Sequence, residues 1–444
     1  DALRRGYACV VSDGGHVSNG GEMSWARGAP QAAVEYLVRA SHVTALAGRA
    51  IAARYYDRPT ERSYFMGCSA GGIQALWLAQ RFPRSFDGIV AGAPALRISR
   101  SWMAWIAANR ALMGGGDEPL LDAADLSLVN RAVIAACDAN DGVADGLIGD
   151  PRDCDFDPVA LQCGPGHADD CLEPAQVAAV RSIYAGPVDS RGRSVAPPLA
   201  LRGSEASWLQ TFAGSRKQPT PAYSYVRDFH HYAISPSGFG PEWSPEQFDF
   251  DVDPARLGAM AALEPSHPDL REFRDRGGKL LAYTGWADAI EGVPNTIDYY
   301  ETVERVVGGR SATQELFRLF VVPGMDHCSG GAGPYFVDYL TALEQWVEDG
   351  RAPDVLIGAR VRTGDLMQKA MAGDRAALAE MRRRFEAPLD PAYVELARPL
   401  YPYPLRTRYL GRGDPALATS HGPAEPPARA APARSPTRPV RGSP

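Results

Sequence analysis

Ser69 stands in Gly67-Cys68-Ser69-Ala70-Gly71, a G-x-S-x-G pattern. Ser63-Tyr64-Phe65-Met66 precedes it as a short apolar strand, and a helix start follows at Gly72-Ile73-Gln74-Ala75-Leu76-Trp77. Strand, tight turn and helix together are the setting of a nucleophile elbow. There the glycines let the chain turn sharply and leave the serine hydroxyl exposed above a sheet. An ordinary glycine-rich strand-to-helix turn has the same pattern, so the reading depends on partners elsewhere in the chain.

A serine nucleophile needs a general base, and the base needs a carboxylate to orient it. In this setting the chain order is Ser, then Asp or Glu, then His. Of the eight histidines, His327 follows the apolar run Leu316 to Val322 in the loop Pro323-Gly324-Met325-Asp326-His327-Cys328. Asp288 likewise ends the run Leu280-Leu281-Ala282-Tyr283-Thr284-Gly285-Trp286-Ala287. Ser69, Asp288 and His327 are therefore the candidate triad. A loop-capping aspartate and a structural histidine are the alternatives for the last two. Asp326 is expected to be solvated, and His16, His230 and His231 lack the strand-then-loop setting. The peptide N–H of Ala70, directly after the nucleophile, is a candidate oxyanion donor.

Cys68 immediately precedes the candidate nucleophile, and Cys328 immediately follows the candidate base. If Ser69 and His327 meet, the two cysteines come within the separation of about 4.4–6.8 Å between Cα atoms that a disulfide requires. A bridge there would tie both loops together; two buried thiols are the alternative.

The Gly-Cys-Ser-x-Gly-Gly elbow, the distant Asp and the His-Cys pair resemble the tannase and feruloyl esterase family. The resemblance runs through Asp13-Gly14-Gly15-His16, Gly285 to Asp288, Tyr299-Tyr300, Pro323 to Gly331 and Arg398 to Pro404, so it spans most of the chain. It implies a serine carboxylic ester hydrolase that cleaves esters of aromatic acids (hydroxycinnamates, gallates or a terephthalate monoester) through an acyl-enzyme. In that family the glycine-rich loop giving the second oxyanion donor lies upstream of the segment matching Asp1 to His16. That loop and some central strands, the N-terminal part of the core, are therefore expected to be missing from this chain, with Asp13-Gly14-Gly15 as a substitute donor. Tyr401 stands where the family often has cysteine and no cysteine follows near Ser420, so a C-terminal bridge is absent. Ile73 replaces an arginine often found after the elbow glycines. A catalytically impaired binding protein of the same fold, or a serine peptidase or acyltransferase, are the alternative functions.

Cys137-Asp138-Ala139-Asn140-Asp141-Gly142-Val143-Ala144-Asp145-Gly146-Leu147 is a second constellation. Three aspartates among glycines offer the hard oxygen ligands that calcium takes, though not at EF-hand spacing. The resemblance implies a structural Ca2+ held by the carboxylates of Asp138, Asp141 and Asp145 and the carbonyls of Val143 and Leu147. A surface loop without metal is the alternative.

The 444 residues, 45% hydrophobic and 22% charged, suffice for a large core. The net charge of −7 and the lack of a basic run before the tail speak against nucleic acid as a partner. No apolar run approaches the length of about 18 residues that marks a membrane helix. Seven cysteines suggest disulfides and an oxidising compartment, secreted or periplasmic, with a leader peptide outside this sequence. The expected pairs are Cys68–Cys328, Cys137–Cys154 and Cys163–Cys171. Cys9 is left as a buried thiol in the expected strand Tyr7 to Val11.

The elements that position these residues read as an α/β fold, an α/β-hydrolase core with a large inserted lid domain. A helical period runs from Gln31 to Tyr55. Strands are expected at Ser63 to Met66, Gly88 to Ala93 and Leu316 to Val322, with helices at Gly72 to Arg81 and Tyr335 to Asp349. The core takes residues 1–115 and 271–421, an irregular lid carrying the aspartate loop takes 116–270, and a Pro- and Arg-rich tail at 422–444 is expected to be disordered. Trp286, Ile290 and Glu291, neighbours of Asp288, are candidate substrate contacts. Trp208, Tyr223, Tyr225, Phe229 and Trp243 either stack on a substrate ring or form lid core. Arg202, Arg216 and Arg227 are candidates to grip a substrate carboxylate.

Overall fold

Gly88-Ile89-Val90-Ala91-Gly92 carries no polar side chain, and all five residues are buried. A parallel strand covered by helices on both faces has this character. The structure, a computed structural model, describes residues 2–18, 23–164, 170–233, 239–240 and 242–426. Its central sheet has four parallel strands, β1 (Tyr64–Cys68), β2 (Gly88–Gly92), β3 (Lys279–Gly285) and β4 (Phe317–Val322), in the order β1-β2-β3-β4. The register sets Cys68 beside Gly92, Gly92 beside Tyr283 and Gly285 beside Val322. The C-terminal ends of all four strands thus lie along one edge.

The main helices are α1 (Ala40–Tyr56), α2 (Ala70–Arg81), α3 (Ile98–Met113), α4 (Pro221–Asp228), α5 (Val293–Val307) and α6 (Tyr339–Asp349). One face of the sheet (Ile89, Ala91, Leu280, Ala282, Phe317, Leu319) packs against Leu76 of α2 and Tyr300 and Val303 of α5. The other (Val90, Leu281, Phe320, Val322) packs against Leu343 of α6. The alternation follows from the two-residue period of a strand. Four further strands pair antiparallel in two ribbons. These are β5 (Leu356–Val361) with β6 (Val394–Leu400), and β7 (Arg406–Tyr409) with β8 (His421–Ala424).

Between β2 and β3 the chain builds a separate apolar cluster that includes Trp105, Val129, Val180, Trp208, Phe212 and Tyr223. Ile73 and Trp77, one turn apart on α2, join it. Helix α3, on the core side of the expected boundary, also packs its Trp102 and Trp105 there. The stretch expected to be irregular contains α4 and two longer helices, Ala123–Cys137 and Pro174–Ala185. The first is started by Asp122, whose side chain accepts from the amides of Ala124 and Asp125 in a capping box.

Other expectations need correction. Tyr7 to Val11 is no strand among the described residues, and Cys9 is exposed rather than buried. Val10 rests on Gly48 of α1 and Tyr7 meets the Tyr64 ring edge-on, so the segment is held by side chains and not by a ladder. The helix expected from Tyr335 begins at Tyr339, where Asp338 caps it by accepting from the Thr341 amide. The tail begins later than expected, because His421–Ala424 pairs with β7; residues 427–444 lie outside the described residues. No described helix is long and apolar enough to cross a membrane.

Candidate active site

Ser69 joins β1 to α2 with φ 62° and ψ −119°, a backbone conformation costly for any residue with a Cβ. Neighbours hold it there. Its amide donates to the Gly92 carbonyl (3.0 Å), and its carbonyl accepts from Ile73 (3.0 Å) at the start of α2. A Cβ at Gly67 would lie 2.5 Å from the Gly71 carbonyl oxygen, so the turn is open only to glycine there. Ala70 is the first residue of α2, and its N–H belongs to the positive end of that helix.

Past β3, the Ala287 amide donates to the Met325 carbonyl (3.0 Å), and a Cβ at Gly285 would stand 2.0 Å from that same oxygen. Glycine at 285 therefore lets the Asp288 and His327 loops touch. Asp288 is 1% exposed. Its Oδ1 accepts from the amides of Ile290 (2.8 Å) and Glu291 (3.1 Å). Its Oδ2 faces His327 Nδ1 at 2.9 Å. With both oxygens engaged, the carboxylate has one orientation and fixes Nδ1 as the donor, leaving Nε2 as the ring's free base. Burial opposes a charged His327, but the Asp288 carboxylate, aided by Glu291 and Asp326, outweighs it and holds the imidazole above its ordinary value.

The Cys68–Cys328 disulfide, with Cα atoms 5.9 Å apart, joins the residue before Ser69 to the residue after His327. The other two expected pairs, Cys137–Cys154 and Cys163–Cys171, are also formed. Ser69, His327 and Asp288 thus share the C-terminal edge of the parallel sheet, where α/β sheets place their ligands.

The remaining candidates sort by their surroundings. Trp286 is buried beneath the Arg152 guanidinium, 4.8 Å from the ring centre. Ile290 is half-buried, and Glu291 is buried. Asp326, expected to be solvated, is half-buried, and burial together with Asp288 pushes it up to about 6. The Gly14 and Gly15 amides donate within their own loop, to Ser12 Oγ and Asp13 Oδ1, so neither is left over for an oxyanion. Trp208, Tyr223 and Phe229 are fully buried core residues. Each candidate arginine has a partner: Arg202 with the Phe156 carbonyl, Arg216 with Glu242, and Arg227 with Asp228.

In the aspartate loop, Asp138 accepts from the amides of Asp145 (3.0 Å) and Leu147 (3.2 Å) on one oxygen and Gly146 (2.8 Å) on the other. Asp145 Oδ2 pairs with Arg398, a partner that sequence reasoning missed although the Arg398 segment had been singled out. Burial, then Asp145 and Asp138, push Asp141 up to about 7. Among the described residues no three acidic, His or Cys side chains stand together as ready ligands. The donor set still fits calcium in type and charge, because a dication would relieve the crowding that raises Asp141.

The family model described as "Tannase and feruloyl esterase" matches residues 1–423. A mono(2-hydroxyethyl) terephthalate hydrolase of Piscinibacter sakaiensis is 34% identical, over 96% of this chain and 75% of that protein. The crystal structure of feruloyl esterase B from Aspergillus oryzae superposes with TM-score 0.80 at 27% identity, covering 95% of this chain and 80% of that one. Tannin acyl hydrolase from Aspergillus niger shares the fold (TM-score 0.66, 21% identity, 89% of this chain and 71% of that one). With its elbow, its buried Asp–His pair and these relatives, the chain belongs to the tannase and feruloyl esterase family and is a carboxylic ester hydrolase.

Proposed function

We propose that this chain cleaves esters of aromatic acids through an acyl-enzyme on Ser69. The observation that carries the reading is the 2.9 Å contact of buried Asp288 with His327, held beside the elbow by the Cys68–Cys328 bridge. His327 Nε2 takes the Ser69 proton as Oγ attacks the ester carbonyl, then returns it to the departing alcohol. A water activated by the same nitrogen releases the acid. The Asp288 carboxylate stabilises the imidazolium formed at each step. The Ala70 N–H, at the start of α2, is one donor to the oxyanion.

Residues 116–270 act as a lid on an α/β-hydrolase core, and a structural calcium is held by Asp138, Asp141 and Asp145 with the carbonyls of Val143 and Leu147. That ion would neutralise crowded carboxylates and take no part in the chemistry. Three disulfides suit a secreted or periplasmic protein.

The test is hydrolysis of methyl ferulate, methyl gallate and mono(2-hydroxyethyl) terephthalate by the chain and by Ser69→Ala. The expected result is turnover of at least one ester, lost by a factor of about 10³ or more in the variant. Turnover that survives Ser69→Ala would overturn the reading.

A further inference from the structure

Arg152 lies on the turn Pro151–Asp153, just before the bridged Cys154. Its amide donates to Asp150 Oδ1 at 3.0 Å, and its Nε stands 2.8 Å and 3.1 Å from the two Asp150 oxygens. Asp150 is 6% exposed, and the Arg406 guanidinium of β7 meets its Oδ2 at 2.8 Å. A buried carboxylate shared by two arginines holds the planar Arg152 fork in one orientation.

That fork covers an aromatic floor drawn from distant parts of the chain. The guanidinium carbon stands 4.8 Å from the centre of the Trp286 ring and 5.8 Å from that of Tyr403. Tyr403 is itself tied down, its O–H donating to Glu301 of α5 at 2.7 Å. Trp286 directly follows β3, is 5% exposed, and donates its amide to the Val322 carbonyl at the end of β4 (2.9 Å). Two positions later comes Asp288, on a turn closed by its own amide to the Gly285 carbonyl (3.1 Å).

We infer that Arg152 is a positioning residue for the reaction: stacked on Trp286, it sets the turn that presents Asp288 to His327. The inference rests on Ser69, Asp288 and His327 being the esterase triad. A guanidinium over an indole face is attracted at short range, and here its plane is already fixed by Asp150. Without it the indole loses its cover, and the turn it belongs to carries a carboxylate whose 2.9 Å contact with His327 tolerates little movement. Trp286 thereby acts through Asp288 and not on the substrate.

The sign of the effect separates position from charge. The carboxyls that act on His327 are Asp288, Glu291 and Asp326. Arg152 faces Asp150 and Tyr403, with Arg406 across the shared carboxylate. Removing a cation alone favours a protonated histidine and raises its pKa. Loosening Asp288 instead weakens the charge that outweighs burial, and lowers it.

The test follows the His327 imidazole by NMR of isotope-labelled histidine, assigned with His327→Gln, beside kinetics on p-nitrophenyl acetate. Arg152→Met should lower the His327 pKa by about half a unit and cut kcat about tenfold, with KM within about twofold. Trp286→Leu should do the same, and Arg152→Met should add little to it. Arg152→Lys and Trp286→Phe, which keep a cation over a ring, should recover most of the loss. If Arg152→Met fails to fold, Arg152→Gln carries the same comparison. A His327 pKa unchanged or raised in the folded Arg152 variant, or a KM raised with kcat intact in Trp286→Leu, would overturn the inference. Hydrolysis of p-nitrophenyl acetate that survives Ser69→Ala, with the His327 pKa moving as expected, would instead remove the triad reading and leave Arg152 as the brace of the Asp288–His327 pair.

Discussion

At the scale of single residues, the Asp288–His327 pair makes the sharpest prediction. In the proposed mechanism the neutral imidazole is the base, so kcat/KM should be lost as pH falls through the His327 pKa, which lies above the ordinary histidine value. Asp288→Asn removes the charge that outweighs burial, so the acid limb should move to lower pH. It also breaks the tautomer control, and kcat should drop by a factor of about 10³–10⁴. A pH–rate profile of both proteins checks this; an acid limb that stays in place would show that Asp288 is not the charge acting on His327. These residues were legible because their chemistry dictates residue type and chain order. Glu291 was named as a candidate substrate contact from its place beside Asp288 alone. Its burial depends on packing between elements distant in sequence, which local pattern cannot bring together. Asp326 was misjudged for the same reason: its setting depends on Asp288, 38 positions earlier by the numbering.

At the scale of elements, the strands of the sheet were readable because burial on both faces demands apolar runs, as β2 and β4 display. Tyr7 to Val11 carried the same signal without being a strand, since an apolar run says nothing about whether a partner strand lies alongside. The helices at Ala123–Cys137 and Pro174–Ala185 were hidden among Pro, Gly and Asp, although Asp122 and Glu173 mark their starts in capping boxes. The Cys68–Cys328 bridge was legible because both cysteines flank residues whose chemistry requires them to meet. It spans 260 positions and joins the end of β1 to the loop after β4. Replacing both with alanine should cost about 2–4 kcal/mol of stability by freeing the unfolded chain. It should also lower kcat more than it raises KM, because the nucleophile and base lose their shared anchor. Thermal melts and Michaelis–Menten kinetics of the double variant check this. Unchanged kcat in a destabilised protein would reduce the bridge to a staple.

At the scale of the whole molecule, the aspartate loop joins regions distant in sequence. Asp145 pairs with Arg398 of β6, and Asp150 holds Arg406 of β7 at 2.8 Å. Leu147 packs on Gly324, where a Cβ would lie 2.9 Å from the leucine methyl, and Gly324 opens the turn that ends in His327. The loop thus touches both C-terminal ribbons and the turn that carries His327. Calcium bound by the loop would stabilise the folded chain by mass action, because the unfolded chain lacks the site. Chelation should lower Tm by several degrees and reduce kcat, and added calcium should restore both while magnesium restores neither, since its smaller octahedral shell suits this ligand set poorly. The pH dependence follows from Asp141. Its carboxyl is held at about 7 in the fold without metal, so between the ordinary carboxylate range and pH 7 the folded loop keeps a proton that the unfolded chain has released. Without metal, stability accordingly falls as pH rises through that window. Calcium competes with that proton, so the Tm gain from calcium should be larger at pH 8 than at pH 5. Asp141→Asn should abolish the difference. Melts of wild type and variant at both pH values, with calcium and with chelator, decide it: a calcium gain equal at the two pH values would place the ion away from Asp141.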